Sequence, residues 1–207
     1  MEKLLNGIVE FRKQDFEEHR RLFSSLGKKQ TPHTLFIGCS DSRVVPSLIT
    51  KTLPGELFIV RNVANIVPKF RLADEYLSTT SAIEYAVQVL EVENIIVCGH
   101  SNCGGCAAIH TPAVQMEALP HTRKWLELSG PVKQQVDAIC PPDDPAAREW
   151  MTEQTNVLEQ VKHLLTYPYI KDRFQQGKLQ IQGWYYIIET GEVFGYNKEK
   201  EFFELIN

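Results

Sequence analysis

No stretch of this 207-residue chain approaches the ~18 consecutive apolar residues that a membrane-spanning helix requires. The opening residues, MEKLLNGIVEFRKQDFEEHRRLFSSLG, alternate apolar and charged positions and lack the continuous apolar core of a secretory leader. A basic block is missing too. Lys and Arg number 22 against 26 Asp and Glu, a formal net charge of -4, which argues against a nucleic-acid partner. There is no internal repeat and no low-complexity linker, and 23% charged with 43% hydrophobic residues excludes a disordered or fibrous chain. The expectation is a cytoplasmic protein with neither nucleic acid nor membrane as partner.

Cysteine is scarce and odd in number. Five thiols, in a chain long enough to bury a real core, read as reduced side chains or metal ligands rather than as a disulfide framework.

Three short apolar runs stand out: His33 to Gly38, Glu56 to Arg61 and Asn94 to Cys98. Continuous Ile, Val, Leu and Phe over four to six residues predicts strands covered on both faces, as in parallel sheets. Between the second and third runs, Tyr76 to Glu91 carries Leu77, Ile83, Val87 and Leu90 at helical spacing, which completes a crossover unit. The N-terminal segment, with Leu4, Leu5, Ile8, Phe11, Phe16, Leu22 and Phe23 mostly on one stripe, predicts one or two amphipathic helices. Residues His121 to Leu165 are helical in pattern, interrupted at Gly130-Pro131 and Pro141-Pro142. Lys178 to Tyr196 reads as a strand and hairpin, with Thr190-Gly191 near the turn. The expected fold class is α/β: one domain over 1–207, with a mostly parallel central sheet and flanking helices. Its parts are an N-terminal helical arm (1–27), a core carrying the chemistry (33–110), and helices with C-terminal strands (119–207).

Reactive groups collect at the carboxyl ends of strands in open parallel sheets. The first strand ends in Cys39-Ser40-Asp41-Ser42-Arg43, and the third in Gly99-His100-Ser101-Asn102-Cys103-Gly104-Gly105-Cys106. Adjacent strand ends would present thiols, an imidazole, a carboxylate and a guanidinium to one pocket. A His-x-x-Cys pair with a distant Cys has the ligand types of a zinc site with three protein ligands. Two other readings compete. A phosphatase loop also runs from Cys to Arg, but needs about five intervening residues, and here Asp41 would face a phosphate. Cys103-Gly104-Gly105-Cys106 has thioredoxin-like spacing, but then His100 and Cys39 have no role. Cys98 reads as buried filler and Cys140 as incidental.

Cys39-Ser-Asp41-Ser-Arg43-Val44, Glu84-Tyr85-Ala86 and Gly99-His100-x-x-Cys103-Gly104 together resemble the paired signatures of the β-class carbonic anhydrases. Pro54-Gly55-Glu56-Leu57-Phe58, Arg61-Asn62-Val63-Ala64-Asn65 and Gly183-Trp184-Tyr185-Tyr186 extend the likeness to nearly the whole chain. The resemblance implies that fold and one Zn²⁺ per chain on Cys39, His100 and Cys103, with Cys106 at a position where the family varies. It also implies a zinc-bound hydroxide hydrating CO₂ to bicarbonate and a proton. Two thiolates leave the metal formally neutral, so a carboxylate must help aim the nucleophile. By the resemblance that group is Asp41, with Arg43 keeping it ionised. The resemblance further assigns Gln30, Phe58, Val63 and Tyr85 to the substrate pocket, several of them contributed by a neighbouring subunit of a homodimer or homotetramer. A family subgroup builds a non-catalytic bicarbonate site from Trp, Arg and Tyr. Here those positions hold Phe36, Arg61 and Tyr186, and Phe lacks the indole N–H donor. A non-catalytic zinc-stabilised scaffold, or hydrolysis of CS₂ or COS by the same chemistry, are the alternative functions.

Overall fold

The computed structural model describes residues 1–72, 77–141 and 143–207. The chain opens with three helical pieces, α1 (Glu2–Lys13), α2 (Asp15–Glu18) and α3 (Arg20–Leu26). Then come β1 (Thr34–Cys39), α4 (Pro46–Thr50), β2 (Leu57–Asn62), α5 (Ser78–Glu84), β3 (Asn94–His100) and α6 (Gly104–Ala108). The C-terminal half holds α7 (Pro120–Leu126), α8 (Gly130–Ile139), α9 (Pro145–Leu164), α10 (Pro168–Gln175), β4 (Gln180–Tyr186), β5 (Val193–Asn197) and β6 (Phe202–Leu205).

The six strands form one sheet in the order β2-β1-β3-β4-β5-β6. The first four are parallel, and β5 and β6 fold back antiparallel. The chain leaves β1 toward one side for β2 and returns on the other side for β3. That makes the β1/β3 boundary the point where strand order reverses, and in open α/β sheets sites form there, beyond the carboxyl ends of the strands. β1 is buried at every residue, as its unbroken apolar run predicts. Leu35, Ile37, Ile83, Ile95 and Val97 form the main core with Val157, Leu164, Tyr167 and Ile170. Each such side chain contributes roughly 1.5–3 kcal/mol by leaving water.

Helix α9 lies across β3 and β4. It starts cleanly because Asp144 accepts a hydrogen bond from the Ala147 amide and Pro145 sits in its first turn, where no backbone donor is needed. No described helix is long and apolar enough to cross a membrane.

Several expectations change in detail. β2 is not covered on both faces within this chain: it is the sheet edge, and Ile59 is 41% exposed. The N-terminal segment makes three helical pieces rather than one or two, and none of their residues is buried. Of the Tyr76–Glu91 helix, Tyr76 lies outside the described residues; the helix runs from Ser78 and widens into a π-helical turn over Tyr85–Val89. Pro131 and Pro145 open α8 and α9, so the Gly130-Pro131 break is observed, whereas Pro142 lies outside the described residues. The C-terminal hairpin is present, with Gly191 in its turn at φ 78°, and β6 extends it by a strand that the sequence reading did not include.

Candidate metal centre

Side-by-side pairing of β1 and β3 brings their last residues together at the point where strand order reverses. The ligating atoms of Cys39, His100 and Cys103 all lie within 4.8 Å of one another, and all three residues are buried. The two sulfurs are 4.0 Å apart. A tetrahedral ion with zinc–sulfur and zinc–nitrogen bonds of ordinary length separates its ligands by about 3.5–3.8 Å, so the sulfur pair is already near that spacing and the trio would close by up to about 1 Å around such an ion.

The imidazole is preset for ligation. His100 Nδ1 lies 2.9 Å from the Ser101 carbonyl, which only accepts, so Nδ1 carries the proton and donates it. Nε2 is then a bare lone pair, buried and without a hydrogen-bond partner. Such an orphan is costly unless something binds it. The thiols make the same point. Cys39 is pushed up to about 12, first by its hydrogen bond with Cys103 and then by burial. Cys103 is likewise pushed up to about 12, first by its hydrogen bond with Cys106. Neither sulfur holds a negative charge here unaided; a cation between them would let both ionise.

Beside the trio, Asp41 is gripped from three directions. Arg43 donates to it through Nε (2.9 Å), Nη2 (2.8 Å) and its own backbone N–H (3.0 Å). These bonds hold the carboxyl well below the usual carboxylate range. Asp41 Oδ2 stands 3.9 Å from His100 Nε2, at the mouth of the ligand cluster. Arg61 props the same loop from below, donating to the carbonyls of Cys39 (2.8 Å) and Asp41 (2.5 Å). Its guanidinium is thereby committed to backbone. Phe36, at the Trp position, packs in a small cluster with Ile96 and Cys98, against which Trp184 and Tyr186 rest.

The residues expected to line the substrate pocket separate into two groups. Val63 starts the turn after β2, at the ligand end of the sheet, where its carbonyl accepts from Trp125 Nε1 at 2.9 Å. Phe58 and Tyr85 are elsewhere. Their rings face each other at 6.1 Å, and Phe58 pairs with Leu35 while Cys39 pairs with Asn62. Four residues of strand put Phe58 about 13 Å below the ligand level. Gln30 is exposed in the connection from α3 to β1. One chain thus brings Cys39, His100, Cys103, Asp41, Arg43 and Val63 together and leaves Phe58 and Tyr85 apart from them. Of the remaining thiols, Cys106 is buried in the same cluster as Cys39 and Cys103, Cys98 packs with Phe36, and Cys140 packs on α8 with Val132 and Val136.

Helix α9 adds groups that no motif announces. Glu153, Asn156, Gln160 and His163 fall on one stripe at steps of three, four and three residues, and all are buried. Glu153 accepts from the Cys103 amide, and Asn156 donates to the Ala64 carbonyl. Gln160 and His163 bond the Val67 amide and carbonyl. The periodicity was available in the sequence, but a polar stripe at helical spacing reads as a solvated face until the loop it serves is known.

A sequence profile described as carbonic anhydrase matches residues 34–193. The carbonic anhydrase of Helicobacter pylori strain J99 is 43% identical over 203 residues, covering 97% of this chain and 92% of that protein. That of Synechococcus elongatus is 40% identical, covering 93% of this chain and 70% of its own. Among solved structures, the β-carbonic anhydrase CcaA superposes with a TM-score of 0.95 at 37% identity, covering 100% of this chain and 99% of that one. A tetrameric β-carbonic anhydrase from Sordaria macrospora superposes with a TM-score of 0.79 at 30% identity, covering 94% and 95%. The two strand-end loops that the fold presses together are thus carried by a chain alike from end to end, and this protein belongs to the β-class carbonic anhydrases.

Proposed function

We propose that Cys39, His100 and Cys103 hold one zinc ion per chain, and that Asp41 and Arg43 aim the attacking oxygen in the reversible hydration of CO₂. The observation that carries this reading is the bare, buried Nε2 of His100, set with two thiols and 3.9 Å from Asp41 Oδ2. Two thiolates and a neutral imidazole balance a divalent charge, and soft sulfur donors favour zinc over magnesium or calcium. Bound there, zinc would supply Lewis acidity, which lowers the pKa of water well below its bulk value of about 15.7, though two donating thiolates make it a weaker acid than a three-histidine site.

The chain's own residues supply direction. Asp41, kept ionised by the Arg43 fork, accepts a hydrogen bond from the attacking oxygen and so turns a lone pair of that oxygen toward the carbon of CO₂. As the new carbon–oxygen bond forms, one pair of C=O electrons moves onto oxygen, giving bicarbonate, and the proton passes to buffer. Val63 offers an apolar wall at the same end of the sheet, suited to a small apolar substrate.

The proposal extends to a homodimer or homotetramer in which Gln30, Phe58 and Tyr85 complete the neighbouring chain's pocket. Two features support it. Tyr85 and Ile59 lie exposed on and beside the β2 edge, and Leu4, Leu5 and Ile8 leave α1 with an uncovered apolar face. The test combines metal analysis of the purified protein with stopped-flow CO₂ hydration above neutrality. One zinc per chain with hydration activity is expected; a zinc-loaded protein without activity would leave only a scaffold role.

A further inference from the structure

Two glycines allow α9 to press unusually close to the sheet. A Cβ on Gly99, the residue before His100, would come within 2.6 Å of Val157 Cγ2. One on Gly183 of β4 would come within 2.8 Å of Val157 Cγ1. Any larger side chain at either place would lift the helix, because packed interiors have no slack to absorb the overlap. The close approach sets Glu153, one turn before Val157, beneath the loop after β3. There it is 2% exposed.

The Glu153 carboxylate bridges two donors. Oε1 accepts the Cys103 backbone N–H at 2.7 Å, and Oε2 accepts the Tyr185 O–H at 2.6 Å. Burying a carboxylate costs several kcal/mol unless it is fully hydrogen-bonded, so an acid kept here marks a place where its geometry is used. Cys103 is the residue whose backbone turns from the loop into α6, at φ -80° and ψ 107°. Fixing its amide fixes the direction in which its sulfur leaves the chain. The sulfur side of the residue faces Cys39, while the amide side faces Glu153. No motif and no likeness noted above gives Glu153 or Tyr185 a part in the site.

We propose that Glu153 is a positioning residue for the metal centre: held by Tyr185, its carboxylate locks the Cys103 amide so that the sulfur is presented at ligating distance. The proposal rests on the zinc assignment made above. Groups that hold a ligand's surroundings in this way typically contribute 10–100-fold to metal affinity.

The experiment uses the full chain and reads metal binding directly. Zinc affinity is measured by competition with a chelator, and the thiolate-to-metal charge-transfer band is recorded after cobalt(II) substitution, for the parent, E153A, E153Q and Y185F. E153A is expected to bind zinc roughly 10–100-fold more weakly and to shift the cobalt band. E153Q, whose amide oxygen still accepts from Cys103 and whose NH₂ can donate to the Tyr185 oxygen, is expected to stay within about threefold of the parent. Y185F removes one anchor without opening a cavity and is expected to fall between them. Should E153A fail to fold, E153Q and Y185F decide the matter. Parental affinity and cobalt spectrum in E153A or in Y185F would overturn the proposal, and so would an equal loss in E153A and E153Q, which would assign the effect to charge rather than position. A parent that binds no zinc would overturn the earlier assignment and this one together.

Discussion

Arg43 and Asn102 join the two loops of the candidate metal centre: Arg43 Nη2 donates to the Asn102 carbonyl at 2.9 Å while also bonding Asp41 Oδ2 at 2.8 Å. One guanidinium therefore fastens the loop after β1 to the loop after β3. The Asn102 carbonyl is turned toward it by a left-handed backbone, φ 55°, one residue before Cys103, the proposed ligand. Only a planar fork with several donors can make these contacts at once, so lysine is no substitute. Arg43→Lys should lower kcat/KM for CO₂ hydration at least tenfold with zinc content unchanged, and Asp41→Ala should lower it by roughly 10²–10³. Stopped-flow hydration beside metal analysis checks both; a fully active Asp41→Ala would remove the orienting role.

The buried thiols offer an internal control for the ligand set. Cys39, Cys103 and Cys106 share one cluster, yet only the first two join His100 in the group that could hold an ion. Cys39→Ser should yield protein with little or no zinc, whereas Cys106→Ser should retain one zinc per chain and most of its activity. If Cys106→Ser lost the metal and Cys39→Ser kept it, the ligand set would have to be redrawn.

How much of this was legible in the sequence depends on how local each signal is. The unbroken apolar runs announced β1 and β3, and the chemistry-bearing residues sit right at their ends, so the strand boundaries alone singled out Cys39, Asp41, Arg43, His100 and Cys103 as a cluster, while their separate roles came from the family resemblance. The exposed edge of β2 was not legible, because an apolar run looks the same whether its cover comes from its own chain or from a partner. β6 is short and half exposed, with nothing to distinguish Phe202–Leu205 from a loop. Glu153 was the least legible. Its meaning depends on a contact fifty residues away, with the Cys103 amide, made only because Gly99 and Gly183 let α9 settle. An acid within a polar helical stripe carries no signature of what it holds.

The separation of Phe58 and Tyr85 from the ligand end of their own chain leads to a prediction about assembly. If these rings serve a neighbour's site, activity depends on association through the β2 edge, whereas zinc binding does not. Ile59→Arg places a charge on that edge at a position that is exposed in the single chain, so the isolated fold should tolerate it. The variant should elute at a smaller mass by light scattering, keep its zinc and lose most of its hydration activity. An unchanged mass would place the interface elsewhere; a fully active monomer would show that one chain is sufficient.

His163 should give the fold a pH dependence of its own. It is buried near the end of α9, with Nδ1 donating to the Val67 carbonyl at 2.6 Å. Glu159 Oε1 stands 3.3 Å from its other nitrogen, and the Lys69 charge disfavours its protonated form. Burial lowers its pKa from the ordinary 6.5, and it outweighs the Val67 bond and the Glu159 charge, which pull the other way. The folded chain therefore binds fewer protons at this site than the unfolded chain does, and stability rises with pH across that interval. The contribution is fully present above 6.5 and is lost as pH falls toward the lower folded value. Thermal unfolding followed from neutrality into mild acid should show a falling midpoint. In His163→Asn the amide NH₂ can replace the Nδ1 donor to Val67 but does not titrate, so the midpoint should start lower, because the smaller side chain leaves a void, and then fall less steeply. Equal slopes in the two proteins would place the acid sensitivity outside His163.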